Sequence, residues 1–184
     1  MIIGHLGVAF ATRARWPKAS FGWLLVATTA PDIWRVILSA AGYAWWPSNT
    51  LSHTLPWSAI VAVTLASIAW LMLRDGVVAL LVAALVASHI ALDMISGWKL
   101  LWIGGPAGLD LQHIEIAELA LEGTLAWLGW RLLPRGRAPR WLTSRAALVV
   151  LLAGQAAYLA QTFHERPEAT RCLTYPIVPC WKKL

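Results

Sequence analysis

The chain has 184 residues, enough for one domain or two small ones. Hydrophobic residues make up 59% and charged residues 13%, against ~25% charged in an ordinary soluble domain. That abundance of apolar residues excludes disorder, and so few charges cannot clothe a water-soluble body, so the formal charge of +6 reads as orienting the chain in a bilayer.

In chain order, the opening stretch Met1 to Thr12 is apolar but too short to cross a hydrocarbon core of ~30 Å. It lacks the basic start and small-x-small site of a signal peptide, so it reads as a retained short helix packed on a bundle. Phe21 to Trp45 is long enough to span but carries Pro31, Asp32 and Arg35 inside it. Leu55 to Leu73, Gly76 to Ser96, Ile114 to Leu133 and Arg145 to Phe163 are apolar stretches of spanning length. No repeat and no alternating strand pattern interrupts them. The expected fold is all-α: a polytopic membrane bundle of about five transmembrane helices plus the short opening helix, over residues 1–163. Residues 164–184 form an extramembrane tail.

Arg13, Arg15 and Lys18, then Arg74, then Arg131, Arg135, Arg137, Arg140 and Arg145 fall on one side of a five-span trace, which is therefore the cytoplasmic side. Trp45, Trp46, Trp57, Trp98 and Trp102 then lie at outer helix ends, and Trp16, Trp23, Trp70, Trp127, Trp130 and Trp141 at inner ones, as interfacial indoles should. The arginine run has no interleaved aromatic groove and reads as a loop facing lipid headgroups, not as a nucleic-acid patch. The tail, with Cys172 and Cys180, lies outside on this trace. A disulfide and two free thiols are both open there.

Ionisable side chains inside the spans carry the chemistry. Each costs roughly 2.5–3.5 kcal/mol at mid-membrane unless compensated, which makes them functional suspects. They are Asp32, His89, Asp93, Glu115, Glu118 and Glu122, with His5 and His53 near helix ends. His89 and Asp93, at i and i+4, share one helix face, the spacing at which two ligands chelate one ion. Interhelical hydrogen bonding is the competing reading of that pair taken alone. Its company favours metal: Pro31-Asp32 in a loosened span, His53 just before a helix opened by Pro56, His5 in the opening helix, and Glu118 on a later span. Glu115, Glu118 and Glu122 share a face that a solvated groove or pairing with Arg35 would also explain. His113 is a candidate supporting residue, and His164 belongs to the charged tail.

Taken in order, Gly4-His5, Pro31-Asp32, Ser52-His53-Thr54, Ser88-His89 with Asp93, Gly97 before Leu101-Trp102, and Ala117-Glu118-Leu119 resemble a known family. It is the bacterial inner-membrane metal-dependent hydrolases (the YdjM-like, or LexA-binding, membrane family). The likeness covers about the first two thirds of the chain, and its ligand order is similar to that of zinc-dependent phospholipase C. Two departures stand out: Trp34 replaces the second aspartate of the family's Pro-Asp-x-Asp, and Ser48 and Asn49 replace its central His-Arg. The resemblance implies an all-α hydrolase of phosphate esters in the inner membrane, with His5, Asp32, His53, His89, Asp93 and Glu118 as metal ligands. Asp93 and Glu118 would be catalytic, Glu118 as ligand or general base.

Asp32, His53, His89 and Asp93 suffice for one metal, and a second would lean on His5 and Glu118. Imidazole and carboxylate without thiolate suit zinc best, with manganese as the other option. His53, His89 and Asp93 fall near outer helix ends, so the expected pocket faces the periplasmic leaflet and a small-molecule or lipid-linked substrate. Membrane lipid is the expected surrounding partner and nucleic acid is not expected. Two rival readings stay open: an ion- or proton-coupled transporter, and a catalytically degenerate metal-binding scaffold.

Overall fold

A computed structural model describes residues 3–41, 52–97, 99–102, 105–109, 115–133 and 143–164. Among them are six helices: α1 (Ile3–Arg15), α2 (Phe21–Ala40), α3 (Leu55–Leu73), α4 (Gly76–Ser96), α5 (Glu115–Leu132) and α6 (Arg145–His164). The described residues are thus all-α apart from a small hairpin of β1 (Lys99–Trp102) and β2 (Gly105–Ala107). Nothing in the residue pattern marks that hairpin, because two strands of four and three residues are too short to show alternation.

Local chemistry sets the helix ends. Thr54 caps α3 by accepting from the Trp57 amide (3.4 Å), with a proline in the first turn where no amide bond is lost. Asp75 caps α4 by accepting from the Val77 and Val78 amides at 2.9 and 3.2 Å. Between them Arg74 turns left-handed (φ 53°), so α3 and α4 form a tight antiparallel pair. Gly108 (φ 147°) brings the hairpin back to α4, where the Leu109 amide donates to the Met94 carbonyl (2.8 Å). A side chain at Gly108 would collide with the carbonyls of Gly97 and Met94.

Pro31 does not interrupt α2, contrary to the break that its position suggests. The helix runs through it, losing only the amide bond that proline cannot make.

The core lies where α1, α2, α3 and α4 meet, at Ala9, Leu24, Ala27, Ala69, Val78, Val82, Leu85 and Val86. Its alanines let the backbones approach closely. The extreme case is α1 against α5: a Cβ on Gly7 would strike the Leu125 backbone, and one on Gly129 would strike Gly7 itself.

Two helices, α3 and α4, are long and apolar enough to cross a membrane. On α3 the large apolar side chains of Ile60, Val63, Leu71 and Met72 are exposed on the surface of the fold. The other expected spans, α2, α5 and α6, have 20, 18 and 20 residues but are less uniformly apolar. Residues 42–51 and the tail from 165, with Ser48, Asn49, Cys172 and Cys180, lie outside the described residues, as do His113 and the arginines from 135 to 140.

Gly7→Leu should therefore lower the melting temperature in detergent by about 5 °C or more, since overpacking against backbone costs at least ~1–3 kcal/mol. Gly154→Ala, where nothing lies within 4 Å, should leave it unchanged or raise it slightly. Equal melting of both variants would contradict the close α1–α5 contact.

Candidate metal centre

Four helices deliver five ionisable side chains to one point. His89 (0% exposed) and Asp93 (2%) come from the fourth and fifth turns of α4. His5 (1%) comes from the start of α1, Asp32 from the middle of α2, and His53 (3%) from the residue before the cap of α3. The sequence spacing i, i+4 does place His89 and Asp93 on one face, with His89 Nε2 3.7 Å from Asp93 Oδ2.

The orientation of each ring is fixed by its back nitrogen. His89 Nδ1 lies 2.8 Å from the Thr28 carbonyl, and His53 Nδ1 lies 2.8 Å from Ser52 Oγ. A carbonyl can only accept, so neutral His89 carries its proton on Nδ1 and presents a lone pair at Nε2. That Nε2 faces His53 Nε2 at 3.4 Å, Asp93 Oδ2 at 3.7 Å and Asp32 Oδ2 at 4.0 Å. His53 Nε2 in turn lies 3.2 Å from Asp93 Oδ2 and 3.5 Å from Asp32 Oδ1. Two carboxylates and two imidazole nitrogens thus converge, and at most one of those nitrogens, that of His53, carries a proton when both rings are neutral. Crowded acceptors in a buried place repel each other unless a positive charge sits among them.

The spacing suits a small cation. Ligands held at ~2.1 Å on a tetrahedral ion lie roughly 3.4 Å apart, and the separations above run from 3.2 to 4.0 Å. Two overlapping groups can offer atoms all within 4.8 Å of one another: Asp32, His53 and His89, and His5, His89 and Asp93. These His/Asp groups could hold a metal ion.

His5 is set differently. Its Nε2 is 3.1 Å from the His89 carbonyl and 3.7 Å from Asp93 Oδ1, and its ring stacks on that of His89 at 3.8 Å. With Nε2 donating to a carbonyl, the lone pair falls on Nδ1, which has no hydrogen-bond partner. His5 therefore supports the ring of His89 by stacking, and it belongs with His89 and Asp93 to the second of the two groups.

Glu118 is buried on α5 and belongs to neither group. Glu122, one turn on, is fully buried, and its Oε2 accepts from the amides of Ile3 (3.1 Å) and Gly4 (3.5 Å). The glutamate face is thus not a solvated groove. A carboxylate from α5 caps the positive end of α1 and sets the height of His5. The side chain of Glu115 lies outside the described residues.

Sequence reasoning missed the supports. Thr28 sits one turn before Asp32; its carbonyl receives His89, and its Oγ1 donates to the His5 carbonyl (2.9 Å). The amide that Pro31 lacks is the one that would bond the Ala27 carbonyl, so the ladder loosens next to the Thr28 carbonyl that His89 uses. A polar residue one turn from a suspect carboxylate in an apolar helix was the available signal.

No protein-family model matches the chain, and neither a curated protein nor a solved structure matches it. The family likeness therefore rests on the short motifs quoted from the sequence.

In metal analysis of detergent-purified protein, His53→Ala, His89→Ala and Asp93→Ala should each lose most bound zinc, whereas His5→Ala should retain part of it and His164→Ala all of it. Equal content across the series would refute the centre. Stripping zinc should lower the melting temperature by several degrees, since a ligand at a thousandfold excess over Kd adds ~4 kcal/mol. The double variant His89→Gln with Asp93→Asn should melt independently of zinc and chelator.

Proposed function

We propose that the chain is a multi-pass membrane metal-dependent hydrolase of phosphate esters, holding one zinc (manganese being the alternative) on Asp32, His53, His89 and Asp93. The observation that carries this reading is the convergence of the His89 lone pair with His53 Nε2 and both aspartates in a buried cluster. A zinc ion there supplies Lewis acidity, lowering the pKa of a water towards ~7 and polarising a phosphoryl oxygen.

The chain's residues do the rest. Thr28 and Ser52 hold the two imidazoles so that Nε2 of each faces inward. Asp93 engages the cluster through Oδ2 while Oδ1 faces His5, which fixes the carboxylate. Asp32, 27% exposed where the other four are buried, marks the side from which substrate enters. Glu118 keeps the role of proton acceptor on the resemblance alone.

We further propose five spans, with the basic turns cytoplasmic and the site towards the periplasmic leaflet of a bacterial inner membrane. Helix lengths support a common depth for the ligands. From the start of α2 at Phe21 to Asp32 is about 17 Å, and from the start of α4 at Gly76 to His89 about 20 Å. From His5 to the end of α1 at Arg15 is about 15 Å. All three are measured from the end bearing Arg13, Arg15, Lys18 and Arg74, so the cluster lies at or past the midplane of a ~30 Å core. This accounts for the mid-helix position of Asp32: α1 is short because it begins at the level of the site.

Zinc-loaded protein should hydrolyse bis(p-nitrophenyl) phosphate; a chelator should abolish this and zinc restore it. Asp93→Asn should lower kcat/KM at least a hundredfold. Turnover indifferent to chelator would refute the hydrolase, and a protein that binds no zinc would favour the proton relay. With respect to topology, an impermeant thiol reagent should label reduced Cys172 and Cys180 from the outer face and miss a cysteine introduced at Arg137; the reverse would place the site on the cytoplasmic side.

A further inference from the structure

An apolar cavity of about 370 Å³ lies between α2 and α3, lined by Val26, Ala30, Ile33 and Trp34 on one side and Trp57, Ile60, Val61, Thr64 and Leu65 on the other. Each set is a single helical stripe, at i, i+4, i+7 and i+8 on α2 and at i, i+3, i+4, i+7 and i+8 on α3. The two helices are antiparallel here, since Trp34 near the end of α2 stacks on Trp57 near the start of α3 at 5.5 Å.

Along both helices that stacked pair lies within about one turn of residues of the cluster, with Trp34 on the face of α2 turned to α3. Trp34 is two residues from Asp32, and Trp57 is the first-turn residue whose amide is capped by Thr54, the neighbour of His53. From there the α3 stripe runs about 12 Å, from Trp57 to Leu65, away from the cluster. Val26, Ile33 and Ile60 on its walls are exposed, so the cavity opens on the lipid-facing surface. The Nε1–H groups of Trp34 and Trp57, two of the residues that line the cavity, are buried with no hydrogen-bond partner. Two such donors beside an apolar slot call for an acceptor-rich headgroup on a hydrocarbon tail.

We propose that this cavity is the chain subsite of the enzyme, and that the substrate is a phosphate ester bearing one linear hydrocarbon chain. The proposal rests on the hydrolase reading for the position of the phosphate. The phosphate lies at Asp32 and the cluster, the two indole donors serve its oxygens, and the chain lies between α2 and α3. A cavity of ~150 Å³ holds a six-carbon benzene ring, so this one holds on the order of fifteen carbons, one chain and not two. Alkyl and isoprenyl chains share this chemistry.

The test is binding of radiolabelled dodecyl phosphate to the zinc-loaded full chain in nanodiscs, in competition with ethyl, octyl, dodecyl, hexadecyl and farnesyl phosphates. Potency should rise at least tenfold from two to twelve carbons and level off by sixteen; whether farnesyl or dodecyl phosphate competes better identifies the chain type. Thr64→Trp, which fills the cavity from an exposed position, should weaken dodecyl phosphate at least tenfold and flatten the series. Ala87→Leu, in the separate groove between α3 and α4, should do neither. Replacing Trp34 and Trp57 together by Phe should weaken dodecyl phosphate but not dodecanol. A chain-length series identical in wild type and Thr64→Trp, with zinc content equal in the two, overturns the proposal. Failure to cleave bis(p-nitrophenyl) phosphate beside an intact chain-length series sinks the hydrolase reading and leaves the chain subsite standing.

Discussion

The structure turns on one electrostatic constraint: carboxylates and imidazoles from four helices are pressed together where little water reaches. Asp93 alone has His53, His89 and His5 nitrogens within 3.2–3.7 Å. Because the Thr28 carbonyl claims the Nδ1 proton of His89, the inward face is dominated by lone pairs and negative oxygens. Such a cluster destabilises the fold when empty of positive charge and stabilises it when a cation is present, so binding and folding are one equilibrium.

The rest of the fold positions the parts of this cluster. α1 reaches it because Glu122 caps its first amides and because Gly7 and Gly129 let α1 and α5 touch backbone to backbone. α2 contributes both the Asp32 carboxylate and Thr28 as support, one turn apart, around the turn that Pro31 weakens. α3 begins at the site because Thr54 caps it there, which holds His53 just outside the helix. α4 supplies the pair at i and i+4. Each device is local, and each would be legible in isolation as ordinary helix chemistry.

That is also why the sequence could be read only in part. The helices announced themselves by apolar length, and α3, α4 and α6 were placed within a residue of their observed ends. His5, Asp32, His53, His89 and Asp93 stood out because ionisable groups are costly in apolar helices, and all five meet. What the sequence hid depends on which partner a group faces. Glu122 looked like Glu118 one turn before it, and only the crossing of α1 over α5 shows that Glu122 caps a helix. His5 looked equivalent to His53, but its nitrogen turns to a backbone carbonyl. The supports on Thr28 and the cavity between α2 and α3 arise from pairing residues of different helices, 23 or 61 positions apart at Thr28, and no single-helix pattern reports a pairing.

The most direct test of the central claim is zinc K-edge X-ray absorption of the zinc-supplemented protein in detergent. The account predicts a first shell of nitrogen and oxygen at about 2.0–2.1 Å with outer-shell scattering from two imidazole rings and no sulfur. A hydrated ion without imidazole scattering, or a sulfur shell at about 2.3 Å from the two cysteines, would contradict it.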